Sequence, residues 1–163
     1  MNHPFLIAQI SDLHLKAGEK LTYGVVDTLA ALRRAVDHLN CQVPRPDIVV
    51  VSGDLVDFGR PDEYAVLHPE LARLHMPCYL VPGNHDNREH LRAAFADHHY
   101  LPSLAGAPLD WVVEEYPLRL IGLDSTIPGG HGGQLLDSQL RWLDGQLALR
   151  PEVPTLLVLH HPP

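Results

Sequence analysis

The sequence predicts an α/β fold with a largely parallel sheet and the beginning of a second sheet. Two observations carry this. Short runs of Val, Ile and Leu alternate with segments whose apolar residues recur at helical spacing, and that alternation favours strands joined by helices. In addition, two strand-like runs, Trp111 to Glu114 and Leu118 to Leu123, follow each other around a turn near Tyr116-Pro117, as neighbouring strands of a separate sheet would.

Phe5 to Ile10 is a continuous apolar run ending in Ser-Asp and reads as a buried strand. Val25 to Leu39 carries Val26, Leu29, Ala30, Leu32, Val36 and Leu39 at helical spacing. Asp47 to Val51 is the clearest strand. A helix opens at Arg60-Pro-Asp-Glu and runs to about Leu74, with Pro61 suited to a first turn and the acids to its positive end. Cys78 to Val81 is a strand stopped by Pro82-Gly83. Asn87 or Arg88 to Phe95 is a helix. Asp137 to Leu149 is amphipathic through Leu140, Trp142, Leu143 and Leu147, and Thr155 to Leu159 is the last strand. The order is β-α-β-α-β-α-β-β-α-β. The Pro128 to Gly133 run is a mobile loop, with no domain linker or internal repeat anywhere.

The 163 residues amount to one domain or a large part of one, and 45% hydrophobic content supplies a core. No apolar run is long enough to cross a bilayer, and Met1-Asn2-His3-Pro4 lacks the n-region and h-region of a signal peptide. The expected location is cytoplasmic. Cys41 and Cys78 suit a reducing compartment. With a net charge of -8 and no basic stripe, extended nucleic-acid binding is not favoured. Of the 12 histidines, His3, His38, His68, His75, His90, His98 and His99 follow no ligand spacing.

Four runs carry chemistry: Asp12-Leu13-His14, Gly53-Asp54, Gly83-Asn84-His85-Asp86 and His160-His161. Each follows a strand, where open α/β sheets hold their ligands. In extended chain Asp12 and His14 point the same way and can grip one cation. Gly53 permits close backbone approach, and Asp54 can give one oxygen to each of two metals about 3.5–4 Å apart. Asn84 is a neutral oxygen ligand, while His85 can face a phosphate. One of His160 and His161 is a ligand, the two pointing to opposite faces. Taken singly, each run also reads as a turn or cap. In register at four strand ends, they read as one metal site for Mn, Fe, Co or Zn.

These residues resemble the calcineurin-like metallophosphoesterases, whose signature is D-x-H, G-D, G-N-H-[DE], H and G-H-x-H. The resemblance covers the whole chain and is closest to the class III cyclic-nucleotide phosphodiesterases and glycerophosphodiesterases. Supporting details are Gly18 to Gly24, Ser52-Gly-Asp-Leu-Val-Asp57, Gly59 to Tyr64, Pro82 to Asp86, Leu123-Asp-Ser125 and His160 to Pro163. It implies a four-layer α/β/β/α sandwich and phosphodiester hydrolysis by a dinuclear centre and a metal-bound hydroxide. Asp12 and His14 would hold the first metal, Asp54 would bridge, and Asn84 and His160 would hold the second. His85 would contact the phosphate, and Asp57 stands where related phosphatases keep an acid that orients that His.

The final G-H-x-H element is absent. The resemblance therefore implies the N-terminal part of a single domain with its C-terminal part missing, short of strands, binding metal weakly and catalysing poorly alone. The expected substrate is a small-molecule phosphodiester, and a homo-oligomer is allowed. Rival readings are a Ser/Thr protein phosphatase, a nuclease of the same superfamily and a non-catalytic metal-binding remnant. The first is disfavoured by Phe58-Gly59 in place of Arg-Gly and by Asp86 in place of Glu.

Overall fold

The computed structural model describes residues 4–18 and 20–162. Met1, Asn2 and His3, on which the reading of the chain's start rests, lie outside the described residues, as do Glu19 and Pro163. The ten predicted elements are present in the predicted order.

The first sheet is parallel, in the order β1 (Ile7–Ile10), β2 (Ile48–Ser52), β3 (Cys78–Val81). Ile10 pairs with Val51, and Val51 with Leu80, so the three strands end level with one another. β2 is buried along its whole length, which is why it reads as unbroken Ile-Val-Val-Val rather than alternating. The second sheet has β5 (Arg119–Gly122) between antiparallel β4 (Trp111–Val113) and parallel β6 (Thr155–Val158). The sheets meet through Trp111, whose indole donates to the Leu80 carbonyl at 2.8 Å, and through Tyr79, 5.6 Å from the Trp111 ring.

Helix α1 (Thr28–Cys41) buries Leu32, Val36 and Leu39, one stripe at 3.6-residue spacing. It starts later than the predicted Val25. Thr22 and Val26 bridge each other in a small turn, and the Asp27 carboxylate caps the Ala30 amide at 2.8 Å. Helix α2 (Pro61–Leu71) opens with Pro61 at its start and Glu63 accepting from the Arg60 amide at 3.0 Å. It stops short of Leu74; Pro69 has removed an amide donor from its last turns. Helix α3 (Arg88–Ala94) is capped by Asn87. These three pack with the first sheet, around Tyr64, Leu67, Leu91 and Phe95.

Helix α4 (Asp137–Leu149) lies on the second sheet, where the Arg119 guanidinium donates to the Gln146 carbonyl at 2.6 Å. The layers therefore run α/β/β/α. The apolar face expected of α4 is only partly covered, with Leu140 at 47% exposure. Its buried residue is instead Gln139, whose amide donates to the Asp110 carboxylate and to the Asp124 carbonyl at 2.9 Å each. Among the described residues, no helix is long and apolar enough to cross a membrane.

Candidate metal centre

Where β1 and β2 end, their chains stay side by side. Asp12 N donates to the Gly53 carbonyl at 3.1 Å, His14 N to Asp54 at 2.9 Å and Leu15 N to Leu55 at 3.3 Å. The first two motif loops are thus laced together by backbone alone. The D-x-H segment is not extended, as the sequence suggested. Among the described residues, the non-glycine positions with positive φ are Asp12 (55°), His14 (41°), Tyr23 (51°) and Asp54 (49°). Left-handed backbone in residues with a Cβ is costly, and it concentrates at functional sites. Here it turns Asp12, His14 and Asp54 onto one another.

The Asp54 side chain is 6% exposed, and its carboxylate faces two imidazoles. Its Oδ2 lies 3.4 Å from His14 Nε2, and its Oδ1 lies 3.6 Å from His160 Nε2. Asp12 Oδ1 lies 4.0 Å from the same His14 nitrogen. His160 Nδ1 sits 2.9 Å from the Ser52 carbonyl. A carbonyl only accepts, so Nδ1 carries a ring proton, and in the neutral ring the Nε2 lone pair faces the Asp54 carboxylate. A positive charge between them, a proton or a metal ion, satisfies both atoms. His14 Nδ1 is buried without a hydrogen-bond partner, 3.4 Å from Asp57 Oδ1.

The third loop locks onto the second. His85 N donates to Asp54 Oδ1 at 2.9 Å. Asp86 reaches back to accept from Leu55 N at 3.0 Å, Gly83 N at 2.8 Å and the Tyr64 hydroxyl at 2.9 Å. Burial pushes the Asp86 carboxyl up to about 6, against the pull of these donors. The glycines of both loops are sterically required. A Cβ on Gly53, whose φ is +91°, would stand 2.4 Å from the His160 ring, and one on Gly83 would stand 2.2 Å from Asp54 Oδ1.

His85 is fixed by a 2.7 Å hydrogen bond from its Nδ1 to the backbone carbonyl of Asp57, leaving Nε2 available. The Asp57 carboxylate faces His14 and Lys16 Nζ, the latter at 3.1 Å. It is the backbone of Asp57, not its acid, that holds His85. Asn84 lines a groove of about 280 Å³ with Arg88, Thr126, Ile127, Pro128 and Gly129.

His160 and His161 diverge as expected: His161 Nδ1 lies 2.8 Å from the Ser125 hydroxyl. Tyr23 and His131 are exposed. Leu123-Asp-Ser125 entered the sequence reading only as a detail of the resemblance, with no role for its acid. Fully buried Asp124 pairs with Arg88 Nε at 2.6 Å and accepts from the Thr126 hydroxyl at 2.6 Å, shaping the groove beside Asn84. The available signal was Leu123-Asp-Ser, a polar pair directly after a strand.

The donors fit a pair of cations. Asp54 presents one oxygen toward His14 Nε2 and the other toward His160 Nε2, and the acids of the cluster outnumber Lys16.

A family model of calcineurin-like phosphoesterase matches residues 5–163. The chain is 39% identical over 158 residues to a probable glycerophosphodiester phosphodiesterase GpdQ of Arcobacter nitrofigilis, covering 97% of this chain and 57% of that protein. It is 40% identical over 168 residues to a cAMP/cGMP dual specificity phosphodiesterase of Mycobacterium tuberculosis, covering 99% of this chain and 52% of that one. It is 32% identical over 157 residues to the 3',5'-cyclic adenosine monophosphate phosphodiesterase CpdA of Escherichia coli K12, covering 96% and 55%. The chain thus spans just over half the length of these relatives. With its motif loops converging at the level ends of a parallel sheet, the chain belongs to the calcineurin-like phosphoesterase family.

Proposed function

We propose that this chain carries the metal-binding part of a phosphodiesterase acting on a small phosphodiester, a cyclic nucleotide or a glycerophosphodiester. The carrying observation is Asp54, with one carboxylate oxygen toward His14 and the other toward His160. Asp12, His14 and Asp54 would hold one divalent ion, and Asp54, Asn84 and His160 the second. Mn, Fe, Co or Zn suit such mixed N/O donors. When bound, the ions supply Lewis acidity that neutralises charge developing on the phosphoryl oxygens.

The protein's own groups do the rest. His85, with Nδ1–H spent on the Asp57 carbonyl, exchanges a proton at Nε2 with the departing oxygen. Asp57, near His14 Nδ1, keeps that ring turned toward Asp12 and Asp54. The groove beside Asn84 receives the part of the substrate that does not react. The names of the relatives support the substrate class. A cytoplasmic setting, with Cys41 and Cys78 free, fits the same reading.

The test is binding of Mn²⁺ or Co²⁺ together with hydrolysis of bis(p-nitrophenyl) phosphate, cyclic AMP and a glycerophosphodiester. Asp54→Ala is expected to lose most bound metal and most activity. Turnover at the wild-type level by that variant would overturn the proposal.

A further inference from the structure

A second set of donors converges away from the Asp54 cluster and shares no residue with it. His68 lies in the last turn of α2, and Asp97 and His98 lie in the chain just after α3. The sequence spacing of these histidines gave no sign of a site. In the fold, one donor atom from each of the three residues lies within 4.8 Å of the other two. His68 Nε2 stands 3.1 Å from both Asp97 carboxylate oxygens. Two ligands on a tetrahedral zinc, with bonds of about 2.0–2.1 Å, stand roughly 3.3 Å apart.

The surroundings hold the donors in place. Phe95 is fully buried, and its ring lies 5.0 Å from the His68 ring and 5.1 Å from the His98 ring, a shared floor for both. The Tyr100 hydroxyl is anchored by the Leu80 amide at 2.9 Å and sits 3.2 Å from His98 Nδ1. With His98 Nδ1–H donating to that hydroxyl, Nε2 is the nitrogen left for a ligand, an outer hydrogen bond of the kind that orients a metal-binding imidazole. The Asp97 side chain is 63% exposed, so the donors are open to solvent. A simple His68–Asp97 ion pair would account for the 3.1 Å contact, but not for a second oriented imidazole beside it.

We propose that His68, Asp97 and His98 form a separate zinc-type cation site, two imidazoles and one carboxylate with water completing the shell, which clamps α2 to the chain leaving α3. The test uses zinc itself. The Asp54 centre is silenced with His14→Ala, Asp54→Asn and His160→Ala, which also breaks the His14, Asp57 and His85 donor group, and Zn²⁺ is titrated into that chain in competition with a chromophoric chelator. One zinc is expected to bind. Adding His68→Ala or His98→Ala should abolish binding, and Asp97→Asn should weaken it more than about 100-fold, beyond the effect of an outer partner. A second measurement needs no silenced background. In the unsubstituted chain, zinc should shift the imidazole ¹⁵N signals of His68 and His98. Unmoved signals, or zinc uptake indifferent to His68→Ala and His98→Ala, would overturn the proposal.

Discussion

The backbone carbonyl of Asp57 accepts a hydrogen bond from His85 Nδ1 at 2.7 Å, while the carboxylate of the same residue turns away toward His14 and Lys16. One residue thus supports two imidazoles through two different groups. Asp57→Asn should therefore leave the His85 tautomer unchanged and weaken metal binding about 10-fold through His14. His85→Ala should retain metal and lower turnover by about 10²–10⁴. Imidazole ¹⁵N spectra and metal titration separate the two. A changed His85 tautomer in Asp57→Asn would contradict the assignment.

Gly53→Ala and Gly83→Ala should both damage the centre, by different routes. The first adds a Cβ 2.4 Å from the His160 ring on backbone at φ +91°, so it costs stability, about 1–3 kcal/mol, and displaces His160. The second places a Cβ 2.2 Å from Asp54 Oδ1 and should lose both metals. Urea unfolding with bound-metal analysis distinguishes one lost ion from two.

Tyr64 is buried with its hydroxyl donating to Asp86 and accepting from Asn87 N, both at 2.9 Å. Tyr64→Phe keeps the packing, removes one of the donors to Asp86, which retains Leu55 N and Gly83 N, and takes the acceptor from Asn87 N. The expected loss is about 1 kcal/mol in urea unfolding, the typical net worth of a hydrogen bond. Loss of metal affinity should accompany it, because Asp86 ties the third loop to the second.

Glu70 joins α2 to α1 by accepting from Arg33 Nε at 2.7 Å, and it also accepts from Arg73 Nη1, just past its own helix, at 2.7 Å. Burial pushes its carboxyl up, but the hydrogen bonds of Arg73 and then Arg33 prevail and hold it below the ordinary value of 4.5. A depressed carboxyl contributes stability above its unfolded value and loses it as pH falls through the folded one. Glu70→Gln should cost about 1 kcal/mol at pH 7, modest because both arginines are largely solvated, and the gap should close below pH 4.5. A gap independent of pH would mean packing rather than charge.

Much of this was legible in the sequence, because strands and motifs mark each other. Ile-Val-Val-Val before Ser-Gly-Asp54 announces both a buried strand and its functional end. What could not be read was conformation within the loops. Asp12 and His14 are grouped by left-handed backbone and by hydrogen bonds to residues 53 and 54, neither of which has a local signal. The roles of Asp57 and Asp86 depend on which atom meets which partner across 28 to 31 residues. Gln139 on the buried side of α4 answers to Asp110 and Asp124, which a hydrophobic pattern cannot anticipate.

The hydrogen bond from His160 to Ser52 spans 108 residues of chain. Asp12, His14, Asp54 and Asn84 all belong to loops of the first sheet and can gather as soon as its three strands pair. His160 arrives only with the last strand of the other sheet. Closing so long a loop carries an entropic penalty that grows with the logarithm of its length. A cation held as proposed between Asp54 and His160 would therefore act as a rivet between the two sheets, and its release should be felt first as a loosening of β6.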